Sequence, residues 1–212
     1  MTTTAKPTRL AFSGSCHCRQ TRYIVFYTLP HMPHSDSSSL KHVGQRIYKC
    51  NCTTCQKLSI FHTRVNEPAS DFLLLSPLDP LGPDSSLTAY RYSEGGKAWL
   101  FCKTCGGRCF SFKGPDEVVS VDLAGLGVGE DVCKRAGAEV DDQGRTTVWK
   151  PKDGFVESPE HRYLSVNAHS LDAEQEGLDL REWHEQGCVQ YYDLLKDSGE
   201  TRYWTPFEGG IY

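Results

Sequence analysis

Three tight clusters of cysteine constrain this chain more than any other feature of its sequence. They are a C-x-C pair at 16–18, a C-x-C-x-x-C run at 50–55, and a C-x-x-C pair at 102–105 that Gly106 and Gly107 follow. Thiolates are soft ligands suited to zinc, and cysteines separated by one or two residues reach one ion from a single turn. The clusters therefore predict metal binding by Cys16, Cys18, Cys50, Cys52, Cys55, Cys102 and Cys105.

The number of cysteines in each cluster suggests how they are shared between ions. A structural zinc site is closed by four protein ligands, whereas a catalytic site keeps one position open. The pairs at 16–18 and 102–105 together supply four thiolates, and the run at 50–55 supplies three. Counting thus predicts two zinc ions per chain, one structural and one catalytic, although the spacing alone also permits other pairings.

Two other uses of these cysteines are considered. A disulfide framework suits small secreted domains, but this chain has 212 residues and its polar start shows no apolar signal segment. Adjacent C-x-C pairs are also poorly placed for disulfides. A single structural zinc, with the other thiols buried as small apolar groups, remains an open alternative. Free thiols without a secretion signal favour a cytoplasmic protein.

Charge and hydropathy exclude two classes of partner. The net charge of −4 gives no basic footprint for nucleic acid. No apolar run approaches the ~18 residues that a membrane-spanning helix needs. We therefore expect a small-molecule partner, with neither nucleic acid nor membrane.

Segments rich in β-branched and aromatic residues predict many short strands. The expected strands are 10–12, 21–27, 46–49, 59–65, 71–75, 87–92, 97–101, 109–112, 118–123, 161–166 and 189–192. Turns are expected at 139–144 and 150–154, and short helices near 56–58 and over 179–186. The pattern predicts a mainly β chain with minor helix, and no linker divides it into two domains.

The motifs resemble those of a known family. The segments Gly14-Ser15-Cys16-His17-Cys18, 50–57 (CNCTTCQK) and 101–106 (FCKTCG) are similar to the glutathione-dependent formaldehyde-activating enzymes, the CENP-V/GFA domain family. The similarity runs from about Phe12 to about Leu126 and returns weakly from Tyr163 to Leu180. The resemblance implies a β-tent fold, with several short antiparallel sheets around two cysteine zinc sites. It also implies that the four-cysteine site is structural and the three-cysteine site catalytic.

The expected domain is a single CENP-V/GFA domain over residues 1–212, with its core at about 10–180, a long loop at 29–45 and an extended C-terminal segment. The implied activity is that of a carbon–sulfur lyase or synthase, similar to S-(hydroxymethyl)glutathione synthase. Its substrate would be a glutathione or other thiol adduct of an aldehyde or other electrophile, with glutathione as a possible co-substrate. The alternatives are a zinc-stabilised binding module without catalysis and, less favoured, a redox-sensing or metal-buffering cluster.

Several further residues are interpreted individually. His62 lies close in sequence to the three-cysteine run and is the best candidate for a general acid–base residue or substrate contact, although a surface strand histidine is the favoured interpretation. His31, His34 and His42 fall in the polar 29–45 loop, where a solvated insertion is favoured over a metal ligand or base. Cys109 is interpreted as a core thiol, whereas Cys133 and Cys188 receive no role.

Overall fold

The computed structural model describes residues 6–31, 44–155, 162–196 and 198–209. Over these residues the chain is mainly β, which confirms the predicted class. The strands are β1 (Thr8–Ser15), β2 (Arg22–Leu29), β3 (Arg46–Cys50), β4 (Phe61–Arg64), β5 (Phe72–Ser76), β6 (Leu87–Tyr90), β7 (Ala98–Cys102), β8 (Phe110–Lys113), β9 (Asp116–Val121), β10 (Thr146–Pro151), β11 (Tyr163–Asn167), β12 (Gln190–Asp193) and β13 (Glu200–Tyr203). The α-helices are α1 (Thr53–Lys57), α2 (Pro68–Asp71), α3 (Glu130–Ala136) and α4 (Leu180–Glu185). None of these helices is long and apolar enough to cross a membrane.

The described strands form two sheets rather than several short ones. The five-stranded sheet has the order β1-β2-β5-β10-β9, and the eight-stranded sheet has the order β13-β12-β3-β4-β11-β8-β7-β6. The second sheet is mixed, because β12 runs parallel to β3. The expectation of purely antiparallel sheets is therefore wrong at this pair, where the C-terminal segment returns beside the strand that leads into the three-cysteine run.

The main core lies between the two sheets. Strand β2 is buried on both faces, and its residues alternate between two clusters. Tyr23, Val25 and Tyr27 face the inter-sheet core, whereas Ile24 and Phe26 join a second cluster that α3 covers. Period-two alternation places successive side chains on opposite faces, so β2 belongs at the centre of a layered structure.

Aromatic side chains join the sheets across this core. The rings of Trp149 from β10 and Phe112 from β8 meet edge to face, with their centroids 4.9 Å apart. The indole N–H of Trp149 donates to Asp116 Oδ1 at 2.8 Å. The apolar face of the eight-stranded sheet is thus occupied by packing, and only its opposite face remains for chemistry.

The region 124–155 contains the largest departures from the predicted elements. Helix α3 was not expected there, although Gly137 ends it with φ +65° and acidic and basic residues occupy its first and last turns. The turn expected at 150–154 is wrong at its start, because Lys150 and Pro151 are the last residues of β10 and pair with β9. The turn expected at 139–144 agrees with the described bends.

The long 29–45 loop lies mostly outside the described residues, as do His34 and His42. His31 is buried, and its Nδ1 lies 3.1 Å from Gln45 Nε2. Two aromatic side chains of the C-terminal segment differ in how far they are buried. Phe207 packs against the main core, whereas Trp204 is 62% exposed.

Candidate metal centres

The four-cysteine set joins the two sheets at their ends. Cys16 and Cys18 lie in the turn of the β1–β2 hairpin, as predicted. Cys102 is the last residue of β7, and Cys105 lies in the turn that follows it. Their four Sγ atoms all lie within 4.8 Å of one another. Because β1 and β7 belong to different sheets, an ion held here would fasten one sheet to the other.

Two glycines allow these turns to approach. Gly106 has φ +70°, a left-handed conformation that L side chains rarely adopt. At Gly107 a Cβ atom would lie 3.0 Å from Cys16 Cβ and 3.3 Å from Cys105 Sγ. The first glycine therefore shapes the turn, and the second leaves space for the opposing cysteine pair.

The sulfur separations fit a four-coordinate ion and not a disulfide. The Sγ atoms of Cys16 and Cys18 are 3.6 Å apart, and those of Cys18 and Cys102 are 3.5 Å apart. A disulfide requires about 2.05 Å, and all ten cysteines are free. A tetrahedral zinc with Zn–S bonds of about 2.3 Å spaces its sulfurs by about 3.8 Å. The set therefore can hold a metal ion.

The three-cysteine set forms around the start of α1. Cys50 ends β3, and Cys52 is the N-cap residue of α1, its Sγ accepting from the Cys55 N–H at 3.5 Å. The N–H of Cys52 donates to Cys50 Sγ at 3.4 Å. The three sulfurs lie within 4.8 Å of one another, so they too can hold an ion. No histidine or carboxylate belongs to that set in the described part of the chain.

The thiols of this set have different pKa values because their sulfur atoms lie so close together. Hydrogen bonds from the Cys50 and Cys55 thiols, together with backbone N–H donors, lower the pKa of Cys52 to about 2. Hydrogen bonds with Cys50 and Cys52, and then burial, raise the pKa of Cys55 far above its ordinary value. These shifts favour the thiolate form at Cys52, and a bound cation would favour the same form at its neighbours.

His62 lies directly beside this cluster. Its Nε2 is 3.2 Å from Cys55 Sγ, and its Nδ1 is 2.7 Å from Ser165 Oγ. The side chain is 1% exposed, so the favoured interpretation as a surface histidine is wrong. Burial, and then the charge of Lys97, lowers the pKa of His62 well below its ordinary value and keeps the ring neutral. Its role in catalysis stays a prediction.

An open cavity of about 560 Å³, here called the sheet-face cavity, lies above the three cysteines. Its floor is the face of the eight-stranded sheet that points away from the main core. Tyr48 stacks on Tyr192 at 4.6 Å and on His62 at 4.5 Å, measured between ring centroids. Trp99 continues this row at 5.8 Å from His62. The cluster is therefore reachable by a small molecule that enters over an aromatic floor.

Asn51, which sequence reasoning missed, anchors the three-cysteine loop. Its Oδ1 accepts from the N–H groups of Leu194 and Leu195 at 2.8 and 2.9 Å, and its Nδ2 donates to Asp193 Oδ1 at 2.7 Å. The side chain is 3% exposed. Its position between two ligand cysteines was the available signal, because a buried amide in such a loop needs partners.

The remaining cysteines lie apart from both sets. Cys109 is buried in the main core, as predicted. Cys188 is also buried there, and its Sγ lies 3.3 Å from the His31 carbonyl oxygen. Cys133 is on α3, packed against the second cluster. Neither of the last two joins a metal-ligand set within the described ranges.

Fold and sites together define a mainly β protein with one four-cysteine and one three-cysteine cluster, both able to hold metal ions. No protein-family model, curated protein or solved structure matches the chain.

Proposed function

We propose that this chain is a zinc-dependent carbon–sulfur lyase or synthase. Its substrate would be a glutathione adduct, or another thiol adduct, of an aldehyde or other electrophile. The observation that carries the proposal is the presence of three cysteines, and not four, in the set that lines the sheet-face cavity. Three protein ligands leave one zinc position for a small molecule, whereas four close the site. The four-cysteine set is accordingly the structural site.

We also propose that the chain is a single CENP-V/GFA domain with the β-tent fold. The support is the order and spacing of the seven cysteines, together with the mainly β architecture. Both sets also lie at strand ends, where Cys50 closes β3 and Cys102 closes β7. That placement holds ligand loops on rigid strands, which suits a site that must keep its geometry.

The reaction balances without a further reactant. When bound, zinc supplies a Lewis-acidic position that lowers the pKa of an incoming thiol. In the synthetic direction a bond forms between the thiol sulfur and the carbonyl carbon, the carbon–oxygen π bond breaks, and the thiol proton moves to the carbonyl oxygen. The lyase direction reverses each of these changes.

The side chains around the three-cysteine set provide a path for that proton. His62 is the proposed proton carrier, because its neutral ring lies between Cys55 and Ser165 and lines the cavity. The hydroxyl of Tyr163 lies 3.5 Å from His62 Nδ1 and 2.8 Å from the hydroxyl of Tyr48. These hydroxyl groups extend the hydrogen-bonded path along the cavity floor.

Metal stoichiometry with and without glutathione tests the proposal. We expect two zinc ions per chain, one of which is held more tightly when glutathione is present. Cys52→Ala should bind one ion instead of two. It should also no longer release free thiol from glutathione–aldehyde adducts. A single ion indifferent to thiols would favour a zinc-stabilised binding module without catalytic activity.

A further inference from the structure

A second cavity, of about 480 Å³, lies on the other side of β3 from the three-cysteine set. Lys49 lines it, whereas the adjacent Tyr48 and Cys50 line the sheet-face cavity, because successive residues of a strand point to opposite faces. Among the described residues, none lines both cavities. We call the second one the α4 cavity, since Leu180 and His184 of α4 contribute to its lining.

Lys49 brings a charge into the α4 cavity without a counter-charge. Its side chain is half-buried, and its Nζ lies 4.8 Å from the centre of the Phe61 ring. Among the described residues, its ammonium group has no hydrogen-bond or ion-pair partner, and no carboxylate lines the cavity. His184 Nδ1 lies 2.9 Å from the Tyr191 hydroxyl and is thus already engaged. A partly buried charge without a partner costs free energy that a ligand of opposite charge would offset, so charge complementarity favours an anion.

The rest of the lining is mostly apolar. It includes Phe61, Leu180, Val189, Trp204 and Pro206. Small-molecule sites of this size typically combine an apolar lining with a few polar groups that fix the orientation of the ligand. A bare inorganic anion would leave the apolar lining in contact with water. The ligand that fits is therefore an anionic group on an apolar body.

Trp204 contributes to this lining in a conformation that a large side chain rarely adopts. It has φ +71° and is 62% exposed. Its indole lies so close to Gly187 that no space remains there for a Cβ atom. Arg202 holds the following backbone by donating to the carbonyl oxygens of Thr205 and Pro206 at 2.7 and 2.6 Å. Backbone strain of this kind concentrates at ligand sites, and an exposed indole offers a packing surface to an aromatic ring.

We infer that the α4 cavity binds a small aromatic carboxylate, whose carboxylate group pairs with Lys49 and whose ring packs against Trp204. The cavity is a second ligand site, separate from the proposed carbon–sulfur chemistry, because it contains no metal-ligand cysteine and shares no described residue with the sheet-face cavity.

Three small probes test this inference with the full chain. Naphthylacetate carries an aromatic ring and a carboxylate, naphthylacetamide carries the same ring without the charge, and octanoate carries a carboxylate on an aliphatic chain. By calorimetric titration, naphthylacetate should bind at least about tenfold more tightly than the amide, because a hydrogen bond to a charged group contributes roughly that factor. Octanoate should bind several-fold more weakly than naphthylacetate, because it cannot form an aromatic pair.

Substitutions locate the bound probe. Lys49→Gln should weaken naphthylacetate by about tenfold and leave the amide unchanged. Lys97→Gln is the matched control, because Lys97 is also half-buried, with its Nζ 4.5 Å from the centre of the Trp99 ring, but lines the sheet-face cavity. Trp204→Leu should abolish the preference for naphthylacetate over octanoate, whereas Tyr90→Leu, at another exposed aromatic position, should not. The exposed Trp204 keeps the test valid should the Lys49 variant not fold.

Four outcomes would overturn the inference. Equal binding of naphthylacetate and its amide would exclude a pairing with Lys49, and octanoate bound as tightly as naphthylacetate would exclude an aromatic ligand. Loss of binding in Lys97→Gln but not in Lys49→Gln would place the ligand in the sheet-face cavity. Failure of every probe to bind would exclude the site. Because none of these substitutions removes a metal-ligand cysteine, each of the outcomes leaves the proposed function to its own test.

Discussion

The imidazole of His62 and the thiol of Cys55 are in hydrogen-bonding contact, with 3.2 Å between Nε2 and Sγ. The other ring nitrogen is held by Ser165 at 2.7 Å. The ring is thus fixed on both sides while the three-sulfur set excludes it. We interpret His62 as a partner that orients a metal ligand, not as a fourth ligand.

Replacement of His62 tests that distinction. His62→Gln should weaken metal binding at the three-cysteine site by about 10- to 100-fold, as is usual when the partner of a ligand is lost. Ser165→Ala should have a smaller effect in the same direction, because the ring remains but can turn. Competition with a chelator measures both, and the Co²⁺–thiolate absorption of cobalt-loaded protein reports the ligand set. If the Co²⁺ absorption of His62→Gln shows that a nitrogen ligand has been lost, His62 is itself a ligand.

The two cysteine sets should differ in what they contribute to stability. Cys102→Ser removes a ligand from the set that fastens the β1–β2 hairpin to the eight-stranded sheet. We expect a loss of several kcal/mol, since metal binding at such a site is folding free energy. At roughly 2–4 °C per kcal/mol for a chain of this size, the Tm should fall by about 10 °C.

Cys52→Ser is the matched comparison, because Cys50, Cys52 and Cys55 belong to one short loop. Its Tm should change by no more than about a third of the Cys102→Ser effect. Differential scanning calorimetry of both variants gives the comparison. Equal losses would mean that the three-cysteine set also closes the fold.

Asn51 should govern metal affinity without being a ligand. In the parent chain, Asn51 Nδ2 donates to Asp193 Oδ1 at 2.7 Å. Asn51→Asp keeps the shape of the side chain but replaces this N–H donor with a carboxylate oxygen that faces the Asp193 carboxylate. Like-charge repulsion should displace the loop and weaken the three-cysteine site by about tenfold or more. Gln143→Glu adds the same charge at an exposed turn and should change nothing. If metal titration finds both variants like the parent, Asn51 does not govern the metal affinity of this site.

Alkaline pH should act on the core through Tyr27. Burial raises the pKa of this phenol above its ordinary value, and the Thr63 hydroxyl opposes the shift only in part. The folded chain therefore keeps a proton that the unfolded chain loses near pH ~10. Its contribution to stability is complete below that pH and is lost as the pH rises through the higher folded pKa.

Tyr27→Phe removes this titration. We expect a cost of about 1 kcal/mol at neutral pH from the lost Thr63 contact, and a shallower fall in stability above pH ~10. Urea unfolding across that range measures the slope, with the exposed Tyr90→Phe as control. Parallel slopes for Tyr27→Phe and the parent would show that Tyr27 is not the group responsible.

Much of the fold is readable from local pattern. Strands with alternating apolar residues were predicted close to their observed positions, as for β2 and β12. Helix α3 was missed even though Gly137 and its charged turns signal it, because the surrounding glycines and polar residues suggested only turns. The start of the 150–154 turn was misplaced because Lys150 and Pro151 gain their strand conformation by pairing with β9, a contact distant in sequence.

The sequence by itself determined which side chains can bind metal, and their number suggested groups of four and three without fixing how the clusters pair. That follows because thiol ligands at short spacing share one turn, which is a local property. Only the tertiary structure decided that the three-cysteine set lines a cavity, that His62 is buried against it, and that Arg46 opposes Arg64. Those relations depend on strand order and register, which bring residues far apart in sequence onto one face of a sheet.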